Sequence, residues 1–364
     1  MKKIGFIGCG HIAKFHARNV RDAINRHGMD MAYHAVCDLE LDRAKTFAEI
    51  AGCSLVTTQA EEVIDACDVI YVCTETAAHQ ALVAAVAQAG KHLFCEKPLA
   101  KNLADAQDMT EQVRGAGIVH QVGLVLHFSP VYRVLAELME DDWGALLSAH
   151  MRDDQCFPIG DHYGSSWRAD PKRAGSGTLL EHSIHDVDLF RRLFGQVGAV
   201  QCHTMEVSGR PGIEDVAHVR FFHERPSSSE GGFSSSLASI WHDMPERQSS
   251  RSLEIFFERA RFTTDSDYFG AITVEVPGRK AEILSHDEVL SRFMMLEGLD
   301  PAEEDLRSLA GIGDRRFLQA VERGEGAQPS FDDALRAHEI VDACYRSAAS
   351  NANERVAAIP AKLA

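Results

Sequence analysis

The first third of the chain contains five short apolar runs, KKIGFIG, AYHAVCD, SLVT, DVIYVCT and HLFCE, separated from one another by stretches of helical length and periodicity. Strands spaced this way have no tight turn with which to form a hairpin. They pair in parallel through crossover helices, which implies a doubly wound α/β domain over residues 1–124. From about Leu146 the rhythm changes. LLSAHMRDD, AVQCHTMEV, EDVAHVRFF, SLASIWHDM, SLEIFFERARF and AITVEVPG follow with few helices between them. This pattern implies a second domain of α+β type over 125–364, built on a large, mostly antiparallel open sheet. The stretch PSSSEGGFSSS, Pro226 to Ser236, is expected to be a solvated hairpin loop between two of its strands. Near the end, Ala334, Leu335, His338, Ile340, Val341 and Cys344 recur at helical spacing, so a final helix over 331–350 is expected to pack back on the body.

A chain of 364 residues is long enough for two such cores. Its 37 Lys and Arg stand against 54 Asp and Glu, a formal charge of −17 that repels polyanions and excludes nucleic acid as a partner. A small, locally steered substrate fits this balance better. No apolar run approaches the about 20 residues of a membrane span. The opening MKKIGFIGCG has no small-residue cleavage site, so a cytoplasmic location is expected. The nine cysteines form no CxxC pair and read as buried, reduced thiols rather than as disulfides or a zinc site.

Between the first strand and its helix lies GCGHIA. Gly8 and Gly10 permit a tight turn and close backbone approach to a pyrophosphate, Ala13 takes the third small position, and His11 and Ile12 open the helix whose N-terminus would face that charge. Asp38 ends the second strand, where an acid can hydrogen-bond the adenosine ribose hydroxyls. A carboxylate there repels a 2′-phosphate, so NAD is expected in preference to NADP. Arg43, five residues on, could instead stack on adenine or reach a phosphate.

Three motifs in order, GCGHIA at the first strand, CEKPLA at the fifth and GSGTLLEHSIHDVD in the second domain, resemble the glucose-fructose oxidoreductase and inositol dehydrogenase (Gfo/Idh/MocA) family. The resemblance extends to SFDDALRAHEIVDACYRSA near the end. It implies a Rossmann domain, a second domain whose open sheet forms a subunit interface in a homodimer or homotetramer, and hydride transfer between a nicotinamide cofactor and a sugar, cyclitol or related polyol. The lysine of the family's Glu-Lys-Pro matches Lys97, which is therefore the expected acid/base at the nicotinamide. Oxidising a secondary alcohol requires a base for the hydroxyl proton, and ketone reduction requires the same group as an acid. Pro98 fixes the turn, and Glu96 could pair with Lys97 or touch the cofactor.

His185 matches the histidine of the family's Asp-x-x-x-His, a substrate contact and proton relay, while Glu181 stands where Asp is usual. On a single helix these two residues would share one face. His182, His185 and Asp186 also offer a metal reading, but no further His or Cys at ligand spacing supports it, and no metal is expected. Thr74 and His79 are expected to flank the cofactor, although Glu75 replaces the proline common in relatives. Gln121 and His127 are expected along the floor of the site, where relatives often carry Asn and Arg. The loop DHYGSSWRADP, with His162, Tyr163, Trp167 and Arg168, has a composition suited to a polyhydroxylated ring or to an ordinary interface. Besides the dehydrogenase, the resemblance leaves open a redox-neutral NAD-dependent glycosidase and a non-catalytic NAD-binding regulator.

Overall fold

A computed structural model describes residues 1–159, 165–224 and 232–356. The chain runs β1 (Lys2–Ile7), α1 (His11–His27), β2 (Met31–Cys37), α2 (Leu41–Ala51), β3 (Leu55–Thr57), α3 (Ala60–Ala66), β4 (Val69–Val72), α4 (Thr76–Gln88), β5 (His92–Cys95), α5 (Leu103–Ala116) and β6 (His120–Val122). It continues through α6 (Pro130–Leu138), β7 (Leu146–Cys156), α7 (Pro171–Ala174), α8 (Thr178–Glu181), α9 (Ile184–Phe194), β8 (Val197–Met205), β9 (Val216–His223), β10 (Phe233–His242), β11 (Ser250–Phe257) and β12 (Arg261–Thr264). The last elements are β13 (Ile272–Glu275), β14 (Glu282–Leu284), α10 (His286–Glu297), α11 (Leu306–Ala310), α12 (Ile312–Arg323), α13 (Phe331–Ser350) and β15 (Glu354–Arg355).

These elements form two compact units, one of Met1–Leu124, Ile159–Gly175 and Glu304–Leu335, the other of Val125–Pro158, Ser176–Glu303 and Arg336–Ala364. The first holds a six-stranded sheet in the order β3-β2-β1-β4-β5-β6, parallel at every pairing. This is the doubly wound arrangement expected from the alternating runs. The order reverses between β1 and β4, and an open sheet of this kind receives ligands beyond the carboxyl ends of its strands at that point. Because helices cover both faces, β4 reads VIYV and every one of its residues is buried.

An aromatic ladder crosses the sheet: Phe6 stacks on Tyr71 at 4.7 Å between ring centroids, and Tyr71 on Phe94 at 4.9 Å. Phe317 of α12 closes it edge-on, 5.7 Å from both Tyr71 and Phe94. Each such ring contributes about 2–3 kcal/mol of burial. Residues 304–335, counted with the second domain from sequence, thus complete the core of the first unit, where Phe317, Leu318, Ala320 and Val321 are buried. The segment 159–175 also belongs there.

The second unit carries a nine-stranded sheet, β14-β13-β12-β11-β7-β10-β9-β8-β15, antiparallel except for the parallel pair β10 and β7. Burial alternates along β10, so Phe233, Ser235, Leu237, Ser239 and Trp241 face inward. Phe190 of α9 packs on Phe221 of β9 at 5.2 Å, and Phe194 on Phe233 at 5.5 Å. β9 and β10 pair as an antiparallel hairpin with His223 opposite Phe233. Phe233 to Ser236, expected in the connecting loop, instead open strand β10, and residues 225–231 lie outside the described residues. The serines suit the strand because Ser235 Oγ pairs with the buried His223 Nε2 at 2.7 Å. α13 covers the expected span, and all six residues that marked it in the sequence are buried. All nine cysteines are unpaired. Among the described residues no helix is long and apolar enough to cross a membrane.

The two glycines of the first turn differ in what they do. Gly8 has φ +90°, and a Cβ there would lie 2.6 Å from the Cys73 carbonyl oxygen. Gly10 has φ −72°, and a Cβ there would meet nothing within 4 Å. Gly8→Ala should therefore destabilise the protein by about 1–3 kcal/mol or more, whereas Gly10→Ala should cost no more than about 1 kcal/mol. Urea denaturation of the two variants checks this contrast.

Candidate active site

In the first unit the residues drawn from the sequence gather at the carboxyl ends of β1, β2, β4 and β5. α1 follows the N-cap Gly10, which has no capping side chain, and carries no acid in its first turn, so the positive end of its dipole lies at the glycine turn. Open space at the Gly10 Cβ position, at the positive end of the α1 dipole, fits the close approach of a pyrophosphate. His11 is exposed and Ile12 half-buried in that first turn. Asp38 is buried and accepts from the Cys9 N–H and the Glu40 N–H, both at 2.9 Å. It therefore holds the glycine turn against the end of β2. Arg43 lies 3.2 Å from Asp38 and 2.7 Å from Glu40, so its charge is engaged by two carboxylates.

At the end of β5, Glu96 is buried and Lys97 half-buried, and the Lys97–Pro98 peptide is cis. Glu96 Oε2 accepts from the Lys97 N–H at 3.0 Å, and Oε1 meets His16 Nε2 at 2.8 Å. His79, expected beside the cofactor, is buried: its Nδ1 lies 3.0 Å from the Pro98 carbonyl and 3.1 Å from that of Leu99, and its Nε2 3.4 Å from that of Thr74. It ties the end of β4 to the lysine turn, and burial lowers its pKa below the usual histidine range. Thr74 is half-buried, its hydroxyl bonded to the Glu75 carbonyl at 3.2 Å. Gln121 is buried rather than lining an open floor. Its Nε2 donates to the Gly313 carbonyl at 3.2 Å, and its Oε1 has no partner among the described residues.

Glu75 bonds Arg173 through both Nε, at 2.8 Å, and Nη2. Lys101 Nζ donates to the Lys172 carbonyl at 3.2 Å. These contacts anchor the segment that carries Trp167 and Arg168, whose guanidinium lies 4.2 Å from the Trp167 ring centroid, a cation–π contact. His162 and Tyr163 lie outside the described residues.

In the second unit Glu181 and His185 are both buried, but not on one continuous helix. α8 ends at Glu181, His182 and Ser183 leave the helical path, and α9 begins at Ile184. Asp153 of β7 holds the break open, accepting from Ser183 Oγ at 2.7 Å and pairing with His182 Nε2 at 2.9 Å. Glu214, buried, anchors the start of α8: it accepts from Gly177 N–H at 2.7 Å, Leu179 N–H at 2.9 Å, Ser176 Oγ at 2.8 Å and Tyr345 OH at 2.9 Å. His127, expected to line the substrate, is engaged by Asp188, which Arg191 also binds at 2.9 Å. Burial would raise the Asp188 pKa, yet His127 and Arg191 hold it below the usual carboxylate range.

Asp186 accepts from Arg251 Nε at 2.7 Å, and Arg251 Nη2 reaches Asp153 at 3.2 Å. His182 and Asp186 thus serve an ion cluster with Arg251. Among the described residues no three or more His, Cys, Asp or Glu are grouped to hold a metal. Sequence reading missed Glu214, Arg251 and His16. A signal existed for His16, which occupies an apolar stripe of α1 with Ala13, Ala17 and Val20. A polar residue in such a stripe demands a buried partner.

Residues 2–124 match the family model of the Gfo/Idh/MocA oxidoreductases, described as an NAD-binding Rossmann fold, and residues 132–263 match that of the family's C-terminal domain. The chain belongs to this family. It is 32% identical to the myo-inositol 2-dehydrogenase of Thermotoga maritima over 53% of this chain and 55% of that protein, so it spans about half the length of that relative. It is 24% identical to the inositol 2-dehydrogenase of Rhizobium meliloti over 95% of this chain and 97% of that one. A solved levoglucosan dehydrogenase in complex with NADH shares the fold, with a TM-score of 0.84 at 22% identity over 98% of this chain and all of that chain.

The Asp186 cluster gives a pH signature. Burial pushes the Asp186 carboxyl up to about 8, Arg251 opposing and Asp153 adding to the rise. A raised folded-state pKa means that its contribution to stability is present in full below the unfolded value, about 3.8, and is lost as pH rises through about 8. Asp186→Asn keeps an acceptor for Arg251 and removes the titration. Its stability relative to the parent should therefore improve from pH 5 to pH 8, as read by urea denaturation at each pH.

Proposed function

We propose that the protein transfers a hydride between NAD and a secondary alcohol or ketone of a sugar, cyclitol or related polyol. Lys97 is the principal acid/base and His185 assists it. The observation that carries this reading is the anchored Glu96-Lys97-Pro98 turn at the end of β5, in a unit whose first helix opens at Gly10 with clear space where a Cβ would stand. The family assignment and relatives named inositol 2-dehydrogenase support the substrate class. Bound NAD supplies the hydride acceptor or donor.

The residues would divide the remaining work. The α1 amides and Gly10 would take the pyrophosphate, and Asp38 the adenosine ribose, with Thr74 and the Glu96 turn flanking the nicotinamide. Lys97 would take the hydroxyl proton on oxidation and return it on reduction, and His185 would hydrogen-bond the same oxygen and pass the proton onward. Glu181, Trp167 and Arg168 would orient the ring hydroxyls. Because Arg43 is engaged by Asp38 and Glu40, it is poorly placed to welcome a 2′-phosphate. The exposed His150, Arg152, Gln201, His203, His218 and Arg220 lie along the open sheet through which a homodimer or homotetramer would form.

Two measurements test this reading. Calorimetric titration should show NAD binding at least about tenfold more tightly than NADP, or roughly 1.4 kcal/mol. Equal affinities would assign Arg43 to the 2′ position. With a screen of inositols and sugars followed by NADH absorbance, Lys97→Met should lower turnover by about 10²–10⁴-fold while NAD affinity stays within a few-fold. Unchanged turnover would remove Lys97 from the mechanism.

A further inference from the structure

We propose that His16 is a positioning residue for Lys97: clamped between Glu96 and Asp314, it holds the Glu96 carboxylate against the backbone of the lysine turn and sets the negative charge behind the lysine. The proposal rests on the reading of Lys97 as acid/base.

The clamp is continuous and buried. His16 Nε2 lies 2.8 Å from Glu96 Oε1, His16 Nδ1 lies 2.8 Å from Asp314 Oδ1, and Asn19 Nδ2 donates to Asp314 Oδ2 at 2.8 Å. The side chains of His16, Glu96 and Asp314 are 3%, 8% and 4% exposed. Two neighbours limit movement. The imidazole lies 4.7 Å from the Phe94 ring centroid, and Gly123 is so close that a Cβ there would stand 2.4 Å from Glu96 Oε1. From Glu96 one link remains, the Lys97 N–H on Oε2.

Ionised carboxylates can only accept, so both ring nitrogens of His16 must donate, and the ring is an imidazolium. Burial alone would lower the His16 pKa, but Asp314 and Glu96 raise it to about 10. Burial would raise the Glu96 pKa, yet His16, with Lys97 beyond it, holds the carboxyl below its usual range. Buried neighbours on β4, β5 and α4 are held in their neutral forms. Burial pushes the Tyr71 phenol of β4, the Cys73 thiol that follows it and the Cys95 thiol of β5 well up, and pushes the His79 imidazole of α4 down. Glu96, His16 and Asp314 therefore sum to a single negative charge. A neutral ring could donate to only one of the two carboxylates, and the other would be left as an uncompensated buried charge. An apolar residue in the α1 stripe would fill the core equally well. What the imidazolium adds is a fixed Glu96 behind Lys97.

The test reads Lys97 directly and needs no substrate. In NAD-loaded protein carrying ¹³C-labelled lysine, the Lys97 Cε titration is assigned by its absence in Lys97→Met. His16→Gln removes the compensating cation, so the Lys97 midpoint should move up by at least about half a pH unit. Glu96→Gln removes the anion, so the midpoint should move down. A role in packing alone would lower the melting temperature and leave both titrations superimposed on the parent, which would overturn the proposal. Should His16→Gln fail to fold, Glu96→Gln and the ¹⁵N spectrum of His16 in the parent decide the matter. At pH 8 both ring nitrogens should carry protons, and a neutral tautomer there would equally overturn it. Lys97→Met turnover separates the two readings. If that variant stays active the acid/base assignment fails, whereas an inactive Lys97→Met beside unshifted titrations sinks only the role of His16.

Discussion

A carboxylate taken out of water is tolerable only where donors replace its lost hydration, and that requirement fixes the loops on which this protein's site residues sit. Asp38 gathers the Cys9 and Glu40 amides and so shapes the glycine turn. Glu96 gathers His16 and the Lys97 amide. Glu214 gathers two amides and two hydroxyls at the start of α8. Asp153 gathers His182, Ser183 and Arg251 where α8 gives way to α9. Asp153 lies in β7, Asp38 and Glu96 directly follow β2 and β5, and Glu214 precedes β9 by two residues, while their donors come mainly from a loop or helix end. The loop therefore has one low-energy geometry, and a site residue carried on it inherits that geometry. Replacing such a cluster by well-packed apolar side chains is often neutral or stabilising in proteins. Its presence here concerns placement more than stability.

The architecture was legible because its signals are local. Parallel strands in a sheet covered on both faces leave continuous apolar runs, and the residues of β4 are all buried for that reason. The glycine turn was equally plain, since Gly8 at φ +90° beside the Cys73 carbonyl admits no other residue without strain. The sequence did not reveal that Glu304–Leu335 joins the first unit. A helix such as α12 shows an apolar face, but nothing in its own pattern says which sheet that face will cover. Phe317 finds the Tyr71–Phe94 ladder only through tertiary packing.

For the candidate site the sequence offered single residues and said little of their connections. Helical spacing placed Glu181 and His185 on one face, because neither Gly nor Pro interrupts the stretch between them. The break at His182 and Ser183 is written instead in Asp153, some thirty residues away in the chain, whose carboxylate offers those side chains a better partner than the helix does. Likewise His127 and Gln121 were expected along the floor of the site. The structure commits the first to Asp188 and the second to the Gly313 carbonyl. Long-range partners of this kind have no signature in the local pattern. Only an out-of-place polar residue, such as His16 in an apolar stripe, hints that one exists.

Glu75 shows how a departure from the family's common pattern can be absorbed. A proline before α4 would stiffen the chain by fixing φ, a purely local effect. Glu75 gives up that rigidity and instead bonds Arg173 through two guanidinium nitrogens, across nearly a hundred residues of sequence. The pair is partly exposed, with side-chain accessibilities of 27% and 47%, so its contribution to stability is at most about 1 kcal/mol and is screened by salt. Its geometry matters more than its energy. With the Lys101–Lys172 contact it holds both α7 and the turn that carries Trp167 and Arg168 against the unit containing Lys97. The constraint that proline would have placed on one backbone angle is thus moved to the placement of a second segment, the one that carries the Trp167–Arg168 cation–π pair.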